Sequence, residues 1–396
     1  MKVAILFDRF GPYHIARLKG AATYVDVVPV EIFGETSEYQ WDKVATNGLR
    51  GVITLFNNRT KEQVKAPELK ARIFEVLDQQ QPDAVAVNGW FDRSALIALY
   101  WCKVRKVRAI LMSESTATDD KRVWWKEWIK KNVVSHFAAA LVGGQRHAHY
   151  LNLLGIPSSK IFFGYDVVDN DYFKNETEKI RANETAERAK RKLPENYFLV
   201  VSRFIQKKNL PFVIDAYHQY FTKAGAAAWD LYILGDGELK TALHSQVVRL
   251  GLSGKVHFEG FKQYGELPAY FGLAKGLVHA STVEQWGLVV NEAMASALPV
   301  IISKPCGSVP ELVHDGINGF AIDPYNQQQL ADIIYGFSNG SYDWQQMGRE
   351  GQRIVSNLSP DTFGKGIRDA AAVAVESKSN RQPAGASLLL KLLAAR

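Results

Sequence analysis

Cysteine is nearly absent from this chain: its 396 residues include Cys102 and Cys306 and no others. Two thiols so far apart form neither a disulfide framework nor a zinc-ligand pattern, which excludes small stapled scaffolds and zinc modules. Long hydrophobic runs are missing too. Nothing approaches the roughly 18 apolar residues of a membrane-spanning helix. The first apolar run, 3–7, is stopped by Asp8 and is too short for the core of a signal peptide. The expectation is a cytoplasmic protein, soluble or peripheral at the inner face of a membrane. Nucleic-acid modules are lacking as well. There is no zinc-finger spacing, RNP-type aromatic motif or heptad repeat behind a basic region, so nucleic acid is not an expected partner.

What is present is the composition of an ordinary globular protein, 47% apolar and 22% charged. The length suits two or three domains, each with its own core. Forty-eight basic residues against 41 acidic ones give a net charge of +7, and residues 102–131 alone hold nine Lys or Arg against four Asp or Glu. Such a balance suits anionic partners.

Short apolar runs alternate with helix-period segments. They predict strands at 3–7, 25–32, 84–87, 109–112 and 138–142, with helices at 67–79 and 93–106 among them. The second half predicts strands at 198–202, 231–234, 256–258, 277–279 and 300–303, and helices at 211–224, 288–297 and 327–337. Strands alternating with helices imply parallel sheets covered on both faces, because parallel neighbours need crossover connections. The polar, charge-dense stretch 174–193, closed by Pro194, contributes little to a core and reads as a linker, helical in part. The halves begin alike, a strand leading to Asp8-Arg9-Phe10 in one and Ser202-Arg203-Phe204 in the other. The expected class is α/β, with two Rossmann-like, doubly wound domains facing across a cleft and ligands at the carboxyl ends of the strands. The predicted division is a first domain over 1–175, a charged linker over 176–195, a second domain over 196–360, and a tail over 361–396 that packs back on the first domain. Within that tail, 381–385 reads as a loop before a Leu-rich end.

The strongest chemical signal is Glu284-Gln285-Trp286-Gly287-Leu288-Val289-Val290-Asn291-Glu292. A strand, a tight turn and a helix beginning near Gly287 would offer free N–H groups and a positive dipole end to an anion. Gly287 lets backbone approach a ligand, and Glu284 and Glu292 each offer two acceptor oxygens to vicinal hydroxyls. The plain alternative is a capped helix with two solvated glutamates. Arg203 and Lys208 follow the first strand of the second half, where fixed cations could grip phosphate oxygens and stabilise a departing diphosphate; a solvated basic loop is the alternative. Gly235, in Leu234-Gly235-Asp236-Gly237, and Phe261, in Val256-His257-Phe258-Glu259-Gly260-Phe261, end two further strands where main chain could hold a nucleobase.

Together these features resemble the EX7E retaining glycosyltransferases, the glycogen-synthase-like and mannosyltransferase-like GT4 group of glycosyl transferases group 1. The resemblance is carried by Arg203 with Lys208, Gly235-Asp236-Gly237, Val256-x-Phe258-x-Gly260, and Glu284 through Glu292 at the family's spacing. Gly307-Ser308-Val309-Pro310-Glu311 and Asp315-Gly316-Ile317-Asn318-Gly319 extend it, so that it covers about 197–340. It implies a GT-B fold and a nucleotide-diphosphate sugar bound mainly by the second domain. Arg203 and Lys208 would meet the diphosphate, Glu284 the transferred sugar, Glu292 the ribose, and the N–H groups of Gly287, Leu288 and Val289 the sugar and phosphate. No cofactor and no metal are implied, since the cations replace the metal. Asp169-Asn170-Asp171, which imitates a metal-binding triplet of another transferase fold, reads as part of a domain-boundary loop ending in Phe173. In the first half, Gly11 stands where the family places a glycine near the donor phosphate, with His14 beside it. Many relatives carry a histidine at a later strand end; here Ser113-Glu114-Ser115 stands there, making Glu114 the candidate.

The resemblance implies retention of anomeric configuration, read as front-face displacement with a donor phosphate oxygen helping to deprotonate the acceptor. The acceptor expected is a glycan or a lipid-linked glycan. Lys121–Lys131, with Trp124, Trp125 and Trp128 among five basic residues and one acidic one, has the make-up of a helix lying on an anionic membrane surface. A helix packing its tryptophans on the core is the alternative. The rival functions are a nucleotide-sugar 2-epimerase and a non-catalytic nucleotide-sugar-binding subunit.

Overall fold

The computed structural model describes the chain apart from residues 37–41, 43–45, 47, 378–382, 384 and 396. It forms two compact units, residues 1–169 with 358–396, and residues 170–357. The loop expected at 381–385 falls largely outside the described residues.

The first unit is built on β1 (Lys2–Phe7), β2 (Asp26–Phe33), β3 (Ile53–Phe56), β4 (Ala84–Asn88), β5 (Arg108–Ser113), β6 (Ala139–Val142) and β7 (Ile161–Phe163). All pairs are parallel, in the order β3-β2-β1-β4-β5-β6-β7. Side chains alternate across the sheet, and both faces are buried. Val3, Ile5 and Phe7 pack with Ile15 and Leu18 of the helix Pro12–Ala22 and with Phe363 and Ile367 of the helix Pro360–Glu376. Ala4 and Leu6 face the other way, into a core shared with the helices Ala66–Gln80 and Arg93–Arg105. This double coverage explains why the strands read as continuous apolar runs.

The second unit repeats the plan. Its strands β8 (Tyr197–Val201), β9 (Asp230–Leu234), β10 (Val256–Gly260), β11 (Gly276–His279), β12 (Val300–Ser303) and β13 (Gly319–Ile322) are parallel, in the order β10-β9-β8-β11-β12-β13. In each sheet the chain lays strands outward from the first one in both directions. The order therefore reverses between β1 and β4, and between β8 and β11. Connections leave in opposite directions there, which opens a crevice at the carboxyl ends of the strands.

Several expectations differ from what is observed. β3, β7 and β13 were not predicted: they are edge strands, and each is only partly buried. The charged stretch expected as a linker is two helices, Asn170–Ala182 and Glu184–Arg191, packed within the second unit on the helices Leu267–Leu273 and Leu288–Ala295. Its arginines are not merely solvated. Arg181 donates to Gly272 O and Ser296 O, and Arg188 donates to Leu273 O, so these cations close helix ends that would otherwise leave carbonyls unpaired. Nor is Asp169–Asn170–Asp171 a loop running to Phe173. The helix begins at Asn170, and Phe173 is fully buried against Tyr264 and Phe271 at ring-centroid distances of 5.2 and 5.8 Å. Among the described residues, no helix is long and apolar enough to cross a membrane.

The segment from Leu358 onward is part of the first unit's core. Phe363 is completely buried, its ring 6.4 Å from that of Tyr165. Phe363→Ala is expected to cost about 3–5 kcal/mol of folding free energy through the lost burial and the cavity left behind, measured by urea denaturation. A loss of under about 1 kcal/mol would show that this helix is not integral to the core.

Candidate functional site

The second unit's strand-order reversal brings together two loops that are far apart in sequence. The loop after β8 carries Arg203 and Lys208, and the loop after β11 carries Ser281 and Glu284. They are tied by main chain, Thr282 N donating to Lys207 O at 2.9 Å, and by Asn209 Nδ2, which donates to Ala280 O at 3.3 Å and Pro324 O at 2.9 Å. At their junction the Lys208 ammonium pairs with Glu284 Oε2, both side chains largely buried. His279 Nε2 lies 3.0 Å from the same oxygen, and Ser281 Oγ donates to it at 3.2 Å.

Burial disfavours the Glu284 anion, but the hydrogen bond from His279 and the charge of Lys208 outweigh it and hold the carboxyl well below the usual carboxylate range. Burial, with Lys208 adding to it against the pull of Glu284, keeps His279 below its ordinary value. His279 is therefore neutral near pH 7. Because a carboxylate only accepts, the proton belongs on Nε2.

The turn after Glu284 is clamped from the far side. Gly307 N donates to Glu284 O at 3.0 Å, the Cys306 thiol to Trp286 O at 2.7 Å, and Trp286 Nε1 to Asn291 Oδ1 at 2.8 Å. Burial, then the nearby Glu284 charge, push the Cys306 thiol up to about 12, so it remains a donor rather than a nucleophile. Gly287 sits at φ +89°, and a Cβ there would stand 3.1 Å from Cys306 Sγ and 3.3 Å from Glu284 Cγ. The helix Leu288–Ala295 starts at once, leaving the half-exposed N–H groups of Leu288 and Val289 without partners inside the helix. A carboxylate, a cation and free amide donors are thus gathered at one crevice, suited to hydroxyl and phosphate groups.

The remaining expected residues fall in different places. Arg203 is exposed, and its guanidinium makes no hydrogen bond or ion pair with the described residues. Glu292 is almost completely buried within its helix. Gly235, at φ +133°, lies under the β8 loop, where a Cβ would meet Ser202 O at 1.8 Å. Its missing side chain serves that backbone approach. Phe261 is half-buried just beyond β10, whose last residue, Gly260, accepts from Gly235 N at 2.9 Å.

In the first unit, Gly11 precedes the helix Pro12–Ala22 after β1, and its N–H donates to His14 Nδ1 at 2.9 Å. Burial, helped by Arg17, lowers His14 to about 3, so the ring stays neutral and keeps accepting. Glu114 follows β5 and lies beside a buried cluster. Arg17 is 3.6 Å from Asp166, its guanidinium carbon is 4.7 Å from the centre of the Tyr165 ring, and Tyr165 OH donates to Asn88 Oδ1 at 2.8 Å. Burial, then the charge of Glu114, raise Asp166 well above the usual carboxylate range against the opposing Arg17. The raised value favours the protonated form of Asp166. Asp169 and Asp171 flank a helix start, and among the described residues no group of three or more His, Cys, Asp or Glu is placed to hold a metal ion.

Residues 182–353 match the family model described as glycosyl transferases group 1. The match falls within the second unit. An uncharacterized glycosyltransferase of Methanocaldococcus jannaschii is 29% identical over 171 residues, 43% of this chain and 41% of that protein. The lipopolysaccharide core biosynthesis glycosyltransferase LpsE of Rhizobium meliloti is 31% identical over 151 residues, 37% of this chain and 42% of LpsE. The chain therefore matches less than half the length of these relatives. Among solved structures, Anabaena HepE in complex with UDP-glucose shares 20% identity and a TM-score of 0.70, covering 93% of this chain and 98% of HepE. This likeness extends the GT-B fold to both units.

His279, Ser281, Asn209 and Cys306 in the second unit were not singled out from the sequence. His279-x-Ser281-x-x-Glu284, three polar side chains closing an apolar strand, was the available signal; Asn209 and Cys306 act only through contacts distant in sequence.

Glu284→Gln is expected to destabilise the protein by about 3 kcal/mol at pH 7, because Lys208 keeps its charge in a largely buried place without a partner. The folded-state pKa of Glu284 is depressed, so its contribution is complete above the unfolded carboxylate value of about 4.3 and fades as pH falls below it. Urea denaturation at pH 7 and pH 3.5 should show the gap between variant and wild type narrowing at the lower pH. An equal gap at both would contradict an ionised Glu284.

Proposed function

We propose that this protein is a retaining glycosyltransferase that moves a sugar from a nucleoside diphosphate donor, bound on its second unit, to a glycan or lipid-linked acceptor. The observation that carries the reading is the Lys208–Glu284 pair at the strand-order reversal, beside the free N–H groups that begin the helix Leu288–Ala295. Vicinal sugar hydroxyls fit Glu284, whose oxygens only accept. Diphosphate oxygens fit Lys208, the exposed Arg203 and the helix N-terminus. Gly11 on the first unit adds a stretch of main chain without a side chain, and Glu292 is assigned to the ribose. The diphosphate gains charge as the glycosidic bond breaks, so fixed cations lower the barrier to departure. On this reading they take the place of a metal ion.

The names of two relatives support surface polysaccharide or glycolipid synthesis: LpsE, and the amylovoran biosynthesis glycosyltransferase AmsK of Erwinia amylovora, 29% identical over 151 residues. HepE, crystallised with UDP and with UDP-glucose, makes uridine diphosphate sugars the first donors to test.

For retention we favour front-face displacement, in which a donor phosphate oxygen accepts the acceptor hydroxyl's proton. Glu114 is the candidate carboxylate for a double displacement, but it would have to attack from beside the buried Arg17–Asp166 pair. Glu114 serves better by accepting a hydroxyl proton in a hydrogen bond that orients the acceptor.

Thermal shift against UDP-, GDP- and ADP-sugars should identify a donor that stabilises the wild type. Glu284→Ala and Arg203→Ala should each lose most of that ligand-induced shift, at least tenfold in apparent affinity. Undiminished shifts in both variants would move the donor elsewhere. With donor and acceptor in hand, NMR should show the donor's anomeric configuration kept in the product. An inverted product would rule out retention, and a sugar isomerised without acceptor would replace transfer by 2-epimerisation.

A further inference from the structure

The first unit's helix Trp124–Val134 presents three large aromatic side chains to solvent. Trp124 is 82% exposed, Trp125 48% and Trp128 54%. At 100° per residue these three and Lys131 fall within one face, while Ile129, Val133 and Val134 turn into the core. The orientation is locked from behind. The Arg122 guanidinium lies 4.4 Å from the ring centre of buried Tyr150 and donates to Tyr150 OH at 2.6 Å; Lys130 Nζ donates to that hydroxyl at 3.0 Å, and Tyr150 OH donates to Glu127 Oε2 at 2.9 Å. Asn132 Nδ2 donates to Trp128 O at 2.7 Å and fixes the last turn. The tryptophans are thus held outward by a partly buried polar network around Tyr150.

A second helix adds to this surface. Ala386–Ala395 packs against Trp124–Val134 and Arg93–Arg105, its start pinned by the 3.2 Å contact between His136 Nε2 and Ala386 O. It buries Leu390 and Ala394 and exposes Leu388 and Leu392, one turn apart, at 62% and 61%. Basic residues dominate the charge around these apolar groups, with Asp120 exposed beside Lys121. Across the three helices the only acidic residue is Glu127, which is engaged by Arg122, Lys130 and Tyr150. Lys121, Lys126, Lys131 and Lys391 are exposed.

We infer that the outward faces of the helices Trp124–Val134 and Ala386–Ala395 form one docking surface for an anionic lipid bilayer. Tryptophan suits the headgroup layer, since its ring is apolar and its N–H still finds a partner there. Leu388 and Leu392 would enter the acyl boundary, and the lysine rim would meet anionic headgroups. Three exposed tryptophans in a helix whose other side is already fixed need a covering partner, and the positive rim selects a negative one. A second copy of the chain would bring the same positive rim against itself.

The test is sedimentation of the full chain with vesicles of phosphatidylcholine alone and of phosphatidylcholine with phosphatidylglycerol, needing neither donor nor turnover. Binding to the phosphatidylglycerol vesicles, weakened by salt, is expected. Trp124→Ala/Trp125→Ala/Trp128→Ala, and separately Lys121→Glu/Lys126→Glu/Lys131→Glu, should each weaken it by about tenfold or more. Leu388→Gln/Leu392→Gln should weaken it too, or the second helix takes no part and the two-helix surface is refuted. An unchanged melting temperature and donor-induced shift in each variant would show that folding and the donor site are intact. Because lipid binding is read separately, failure of the donor reading leaves this inference standing, and the reverse holds. Equal binding by the tryptophan variant, no preference for anionic vesicles, or a dimer in sedimentation equilibrium that the tryptophan variant abolishes would overturn the proposal.

Discussion

A buried cation and a buried anion that neutralise each other hold the second unit's functional region together. Lys208 and Glu284 lie 76 residues apart in the chain, and both are largely removed from water. Either alone would be costly to bury; paired, and with His279 and Ser281 completing the hydrogen bonds to the carboxylate, they form one charged centre. The local backbone follows from that centre. Glu284 must leave β11 at the right angle, which the Cys306–Ser308 segment enforces through Trp286 and through the carbonyl of Glu284. Gly287 must then turn with positive φ in a space where a side chain would press on Cys306 and Glu284. The helix that begins there inherits its position, and with it the free N–H groups.

The first unit uses the same sheet plan for a different electrostatic arrangement. At its strand ends Glu114, Asp166 and Arg17 sit close enough for one carboxyl to stay protonated, and His14 is kept neutral beside Gly11. The second unit stabilises a charged carboxylate, whereas the first suppresses charge at its corresponding edge. The difference comes from neighbours: a lysine reaches Glu284, while Glu114 meets another carboxyl whose arginine partner is already fully buried.

Much of the fold was legible because both faces of each sheet are covered. Continuous apolar runs such as Val3–Phe7 and Val300–Ser303 could hardly be anything but buried strands, and their alternation with helix-period segments implied parallel order. The edge strands β3, β7 and β13 escaped because they are only partly buried and lack a sustained apolar run. The stretch 176–195 misled for a physical reason: charge density was read as solvation, yet Arg181 and Arg188 lay their stems along the protein and spend their charges on helix-end carbonyls. At the site, spacing alone marked Glu284, Gly287, Arg203 and Lys208. Cys306 went unmarked because it acts only through contacts distant in sequence, whereas His279 stood in a local polar cluster that was passed over.

By itself the sequence determined the α/β class, the repeated plan of two doubly wound sheets, the residue types gathered around the second sheet, and a tryptophan-rich basic segment in the first half. These are properties of period, composition and spacing, which the chain carries wherever it goes. Tertiary structure decided which charges meet. It spent Lys208 on Glu284, left Arg203 exposed, buried Glu292, set Asp166 against Arg17 near Glu114, and turned Trp124, Trp125 and Trp128 outward. Each outcome depends on the distance between groups separated by many residues and on how much water remains around them. Sequence spacing does not encode those quantities; packing sets them.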